Sequence, residues 1–169
     1  YDPTNIFVAG FIGTPQMNFF KSELRRDGET YYVMLRGVRV DLPLAKQVRL
    51  TMNEIQPQNI TLGVRPEHMT VAKTAAAFPA TVELTELMGS NVHVHIKFYD
   101  EDATIVVQDD GQSGMDFAPG QAIAFAITEE NMILFDENGN NLEHDDRERE
   151  KRVAQDLELA RELSAQMAE

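Results

Sequence analysis

From Asn18 onward, apolar and polar residues alternate with period two, the spacing that sends successive side chains to opposite faces of a strand. Phe19 to Arg26 and Tyr31 to Leu35 predict two strands joined at Asp27-Gly28, a strong hairpin turn. After Arg36-Gly37, Val38, Val40 and Leu42 alternate with Arg39 and Asp41, and Val48, Leu50 and Met52 continue the alternation. Ile60 to Arg65 predicts a short strand stopped by Pro66. Further on, Thr81 to Leu87 turns through Met88-Gly89-Ser90-Asn91 into a strand whose Val92, Val94, Ile96 and Phe98 share one face. Thr104 to Val107, Gln121 to Ile127 and Met132 to Phe135 complete the set. Many short strands punctuated by glycine turns predict a mainly β domain, a small closed barrel or a sandwich.

The two ends have a different texture. Pro3 suits a first helical turn, and Phe7, Val8, Phe11 and Ile12 fall on one helical face before Gly13-Thr14-Pro15 stops the helix. From Glu143 onward there is neither Gly nor Pro. Asp145 with Glu148 resembles a capping box, and Val153, Leu157, Ala160 and Met167 form a narrow stripe. This predicts a long charged helix docked on the barrel or on a partner. In the strand before Ile127, Ala122, Ala124 and Ala126 oppose Ile123, Phe125 and Ile127. With neither face polar, both are expected to be covered, as in a tight barrel interior.

Charge and composition narrow the function. A net charge of -13 with only 15 basic residues argues against nucleic acid, whose phosphates must be neutralised by clustered Lys and Arg. It argues equally against single-stranded nucleic acid and anionic lipid. No apolar run approaches the ~20 residues of a membrane span. With no cysteine, disulfides and thiolate chemistry are excluded. The start at Tyr1 rather than Met is read as a piece of a longer chain.

Candidate chemistry is sparse. A phosphate-binding loop needs Gly-Lys-Ser/Thr, and no lysine here follows a glycine; the loop from Gly111 to Gly120 has no lysine at all. His93 and His95 point to one side of a strand but lack an evident third ligand, so they are read as solvent-facing. Asp136-Glu137-Asn138-Gly139-Asn140 fails the calcium-loop pattern, with Asn141 at its sixth position and Arg147 at its twelfth, and is read as a turn. The acidic runs Asp100 to Asp102 and Asp109-Asp110 are read as solvated loop charge. No catalytic, cofactor-binding or metal-ligating residue is assigned.

Three stretches carry a family resemblance. Residues 1–19, from Tyr1-Asp2-Pro3 through Gly13-Thr14-Pro15 to Asn18-Phe19, resemble the junction that ends the nucleotide-binding domain of maltose- and multiple-sugar-type ABC importers. Leu62-Gly63-Val64-Arg65-Pro66-Glu67-His68-Met69 is similar to that family's Gly-Ile/Val-Arg-Pro-Glu-His signature, and Val82 to Ile96 to its following hairpin. The resemblance runs to about Leu142. It implies a partly duplicated, OB-type regulatory (transport-associated) domain over 14–142. Residues 1–13 would join it to an ATPase domain outside this chain, and the helical tail 143–169 departs from the family.

The resemblance further implies a cytoplasmic module that helps hold two ATP-binding subunits together beneath the importer's membrane subunits. It would receive regulatory proteins in some members, with ATP and Mg bound elsewhere. Its motif residues are Gly13, Pro15, Asn18, Gly63, Arg65, Pro66, Glu67, His68 and Gly89, and Arg65, Glu67 and His68 are expected to fix a loop by polar contacts. An oxyanion-sensing domain of a non-sugar importer is the alternative.

Overall fold

The computed structural model describes residues 3–11, 13–71, 78–108, 117–144 and 146–168. Ile12, Asp109-Asp110, most of the loop from Gly111 and the proposed cap Asp145 lie outside them, as does the side chain of Val153. The chain runs α1 (Ile6–Phe11), β1 (Asn18–Asp27), β2 (Thr30–Leu35), β3 (Val38–Asp41), α2 (Leu44–Met52), β4 (Gln58–Val64) and β5 (Met69–Val71). It continues with β6 (Phe78–Met88), β7 (Asn91–Phe98), β8 (Glu101–Gln108), β9 (Ala122–Ile127), β10 (Ile133–Phe135) and α3 (Asp146–Met167). Short 3-10 turns at Pro66–His68 and Glu129–Asn131 precede β5 and β10.

The domain is mainly β, as the alternation predicts. The strands form two antiparallel five-stranded sheets, ordered β10-β4-β1-β2-β3 and β5-β9-β6-β7-β8. Among the described residues no ladder joins one sheet to the other, so the barrel is not closed by hydrogen bonds. What joins the sheets is aromatic packing. Phe20 of the first sheet lies 5.6 Å from Phe98 and 6.1 Å from Phe125 of the second, and Phe78 completes the group at 5.8 and 5.4 Å from the same two rings. All four are buried, and the mostly edge-to-face arrangement suits ring quadrupoles.

Two predicted elements need correction. The alternation of Val48, Leu50 and Met52 belongs to a helix, α2, which starts after Pro43. Pro43 has no N–H to lose there, and one helical turn buries Lys46 and Leu50 at i, i+4 spacing while Val48 and Met52 face outward. Period two and period 3.6 coincide over so short a run. At the N-terminus, α1 starts at Ile6 rather than near Pro3, because Asn5 caps it by accepting the Val8 N–H at 2.9 Å. Its buried face carries Ala9 with partly buried Ile6, while Phe7 is exposed. That face seals a second small cluster made with Met17, Ile133 and Phe135.

The alanine face of β9 is also less covered than expected. Phe125 and Ile127 are buried, but Ala122 is exposed and Ala124 and Ala126 are half-buried. The long tail helix is present, and its described side chains, Lys151 and Ala154 to Met167 without Asp156, are all exposed.

Candidate functional site

The motif residues before β1 and after β4 converge, because β1 and β4 are paired. Asn18 sits opposite Val64 and Phe19 opposite Gly63. A Cβ on Gly63 would lie 2.7 Å from Met17 Sδ and 2.8 Å from Phe135 Cε2, so a side chain there would displace both. Gly13 has φ +106°, left-handed backbone that favours glycine, and a Cβ on it would lie 3.5 Å from Arg65 Nη1. Gly13, just before the cis Thr14-Pro15 bond, thus lies against the Arg65 guanidinium.

Asn18 has the most consequential position of the set. Its Nδ2 donates to the Thr104 carbonyl at 2.8 Å, and its Oδ1 accepts the Thr104 N–H at 2.8 Å. The second Nδ2 hydrogen meets Met69 Sδ at 2.9 Å. Thr104 lies on β8 and Met69 on β5, the two edge strands of the second sheet. One buried amide from the first sheet therefore imitates a peptide group and ties down both edges of the other. From Thr104 the polar contacts continue outward: its Oγ1 lies 3.1 Å from His95 Nδ1, and His95 Nε2 lies 2.6 Å from Glu86 Oε1. His95 is thus held between Thr104 and Glu86 and is not the solvated histidine expected from sequence.

Backbone hydrogen bonds hold the Arg65-Pro66-Glu67-His68 turn. Buried Pro66 opens the 3-10 turn, the His68 N–H donates to the Arg65 carbonyl at 2.9 Å, and the Thr128 N–H donates to the His68 carbonyl at 3.1 Å. Glu67 is exposed. Gly89 stands apart at the tip of the β6–β7 hairpin, where φ +64° rather than close packing calls for glycine.

Beside the turn is a cleft of about 310 Å³ lined by Lys46, Arg49, Arg65, His68, Met132 and Glu143. Its cations are mostly spent internally. Lys46 Nζ donates to the Met132 carbonyl and to Glu143 Oε2 at 2.7 Å, and Arg49 Nε meets Glu143 Oε1 at 3.1 Å. Asn53 Nδ2 adds bonds to the Leu142 and His144 carbonyls at 2.9 and 3.0 Å. Together these fasten residues 142–144 along α2. Sequence reading missed all of them, since a strand at 48–52 hides the helical register that places Lys46, Arg49 and Asn53 on one side.

The larger cleft, about 840 Å³, lies over the outer face of the first sheet. Several of its charges are paired within the chain: Arg25 with Glu23 at 2.6 Å, and Arg36 with Asp100 and Glu101. Glu101 additionally accepts the Lys21 N–H at 2.9 Å, a second polar tie between the sheets. Asp100 and Glu101 are therefore ion-pair partners rather than loose loop charge, and Asp102 is held by Lys97 at 2.6 Å. The Asp136 turn anchors α1: Asp136 Oδ1 accepts the Asn138 and Asn140 N–H groups, and the Gly139 carbonyl accepts the Ile6 N–H at 2.7 Å.

Comparison with known proteins agrees with this geometry. Residues 13–69 match the MalK OB fold domain and residues 62–135 the TOBE domain. The chain is 32% identical over 139 residues to an ABC transporter ATP-binding protein of Bacillus subtilis named YurJ, covering 79% of this chain and 37% of that protein. It is 34% identical over 148 residues to the xylose/arabinose import ATP-binding protein XacK of Haloferax volcanii, covering 84% and 36%. To the lactose transport ATP-binding protein LacK of Rhizobium radiobacter it is 31% identical over 146 residues, covering 83% and 38%. It thus spans little more than a third of each relative's length. Among solved structures, the cytoplasmic molybdate-binding protein ModG shares the fold, with a TM-score of 0.55 at 15% identity over 69% of this chain and 94% of that one.

Proposed function

Because the chain belongs, over residues 13–135, to the TOBE and MalK OB-fold family found in ABC-importer ATP-binding subunits, we propose that it is the regulatory and subunit-pairing module of a carbohydrate importer's ATP-binding subunit. ATP and Mg chemistry then belongs to a part of the subunit outside these residues. The module works at the inner face of the membrane, paired with a second copy and reached by the importer's membrane subunits through that other part. The observation that carries the reading is Asn18. The next-to-last residue of the junction stretch is the same residue that ties the two sheets together. A displacement arriving along residues 13–17 is delivered to the β body through a buried amide, not dissipated in a loose linker.

The test is an importer assembled with the full-length subunit carrying Asn18→Ala. The expected result is retained ATP binding with weakened coupling of hydrolysis to transport. Unchanged coupling in a folded variant counts against the reading. The oxyanion-sensing alternative shares only the fold with the molybdate protein, and here Lys46 and Arg49 are both engaged by Glu143. A thermal-shift series with molybdate, sulfate and sugars separates the two: a saturable shift with molybdate or sulfate favours the sensor.

A further inference from the structure

Helix α2 has apolar residues on both of its faces. It buries Leu50 with Lys46 and leaves Leu44, Val48 and Met52 exposed at 79%, 47% and 76%. Spaced at i, i+4 and i+8, the three apolar side chains form one stripe, and no described element covers it. The molecule has a second exposed apolar surface of the same kind. On α3, Leu159, Leu163 and Met167, again spaced at i, i+4 and i+8, are 55%, 52% and 89% exposed. Two such surfaces on one chain are natural partners for each other.

Reach decides whether they meet within a chain or between chains. Asn53, the C-cap of α2, donates to the Leu142 and His144 carbonyls, so α3 starts beside the C-terminal end of α2. Folded back along α2, it would lay its own first ten residues over a helix of nine residues, about 14 Å long. That stretch, 146–155, carries four basic and three acidic residues and only Val153 and Ala154 as apolar ones. Leu157 lies eleven residues past Asp146, about 16 Å along the axis, already beyond the end of α2. The leucines cannot reach their own α2 by this route.

Charge agrees with exchange. Residues 154–169 carry four acidic residues against one arginine, whereas α2 has no acid and exposes Arg49, which with the buried Lys46 outweighs their shared partner Glu143 by one positive charge. We infer that the distal half of α3 packs on the Leu44–Val48–Met52 stripe of a second copy, and that the second copy returns the contact. Such an isologous exchange uses the same two patches twice and closes on itself. The inference rests on the reading of a two-copy module and names the element that joins the copies.

The chain has no cysteine, so introduced ones report cleanly. A Val48→Cys/Leu163→Cys chain, oxidised mildly, is expected to run as a covalent dimer on a non-reducing gel, with either single variant giving little. A monomeric intramolecular disulfide, or no disulfide, overturns the exchange. Both sites are exposed, so folding is retained and is checked by circular dichroism. Light scattering of the whole chain supplies the second readout. Val48→Glu and removal of 146–169 are each expected to weaken self-association at least tenfold. If both variants pair as tightly as the parent chain, the exchange fails while subunit pairing through the β body survives. If the parent chain is itself monomeric, both fail.

Discussion

Asn18 and Thr104 exchange two hydrogen bonds of 2.8 Å each across the two sheets, a side-chain amide standing in for a peptide unit on the edge of β8. The pair covers backbone groups that a free edge strand would leave open. Replacing Asn18 with Ala leaves the Thr104 N–H and carbonyl without this partner and opens a small void. We expect a loss of about 2–3 kcal/mol in denaturant unfolding. Asn18→Asp keeps the acceptor but sets a carboxylate against the Thr104 carbonyl, and should be at least as damaging.

Gly63→Ala should destabilise by about 1–3 kcal/mol, since its Cβ would press on Met17 and Phe135 at 2.7 and 2.8 Å. Gly89→Ala meets nothing within 4 Å and strains only a φ of +64°, at a cost of about 1 kcal/mol. Equal thermal melts for the two variants would contradict the packing role assigned to Gly63.

Lys46 and Glu143 are 4% and 8% exposed at their side chains. Removing Glu143 strands the buried Lys46 charge, so Glu143→Leu is expected to cost about 3–5 kcal/mol. Lys46→Met with Glu143→Leu should recover a substantial part of that loss. A double-mutant cycle in urea measures the coupling directly, and strictly additive losses would show that the pair is not a unit.

Asp100 offers a pH signature. A hydrogen bond from its own backbone, followed by Arg36, holds its carboxyl below the ordinary value of 3.8. A depressed carboxylate stabilises the fold above its unfolded value, and the contribution is lost as pH falls through the folded value. Wild type should therefore exceed Asp100→Asn in stability near neutrality. The two melting curves should approach each other only as pH falls below 3.8 and through the folded value; a gap that persists in stronger acid would assign the effect to packing instead.

The sequence was legible where burial follows one simple period. Val94, Ile96 and Phe98 are buried as their alternation predicts, and the Asp27-Gly28 hairpin forms where a positive φ is needed. It was illegible where a short run fits two periods, as at Val48 to Met52. It also failed where a polar residue is buried by a distant partner. Asn18 was flagged by resemblance alone, because its partner Thr104 is 86 residues away. Lys46 and Glu143, 97 residues apart, carry no local signal of their pairing. The exposed stripe on α2 was hidden for the same reason as its buried lysine.

The most direct test of the central claim is coupled transport by the assembled importer with a full-length subunit bearing wild-type residues 1–169 or Asn18→Ala. We expect ATP binding to be preserved, while sugar uptake per ATP hydrolysed falls several-fold in the variant. A folded variant with unaltered uptake and unaltered hydrolysis would contradict the regulatory role placed at this junction.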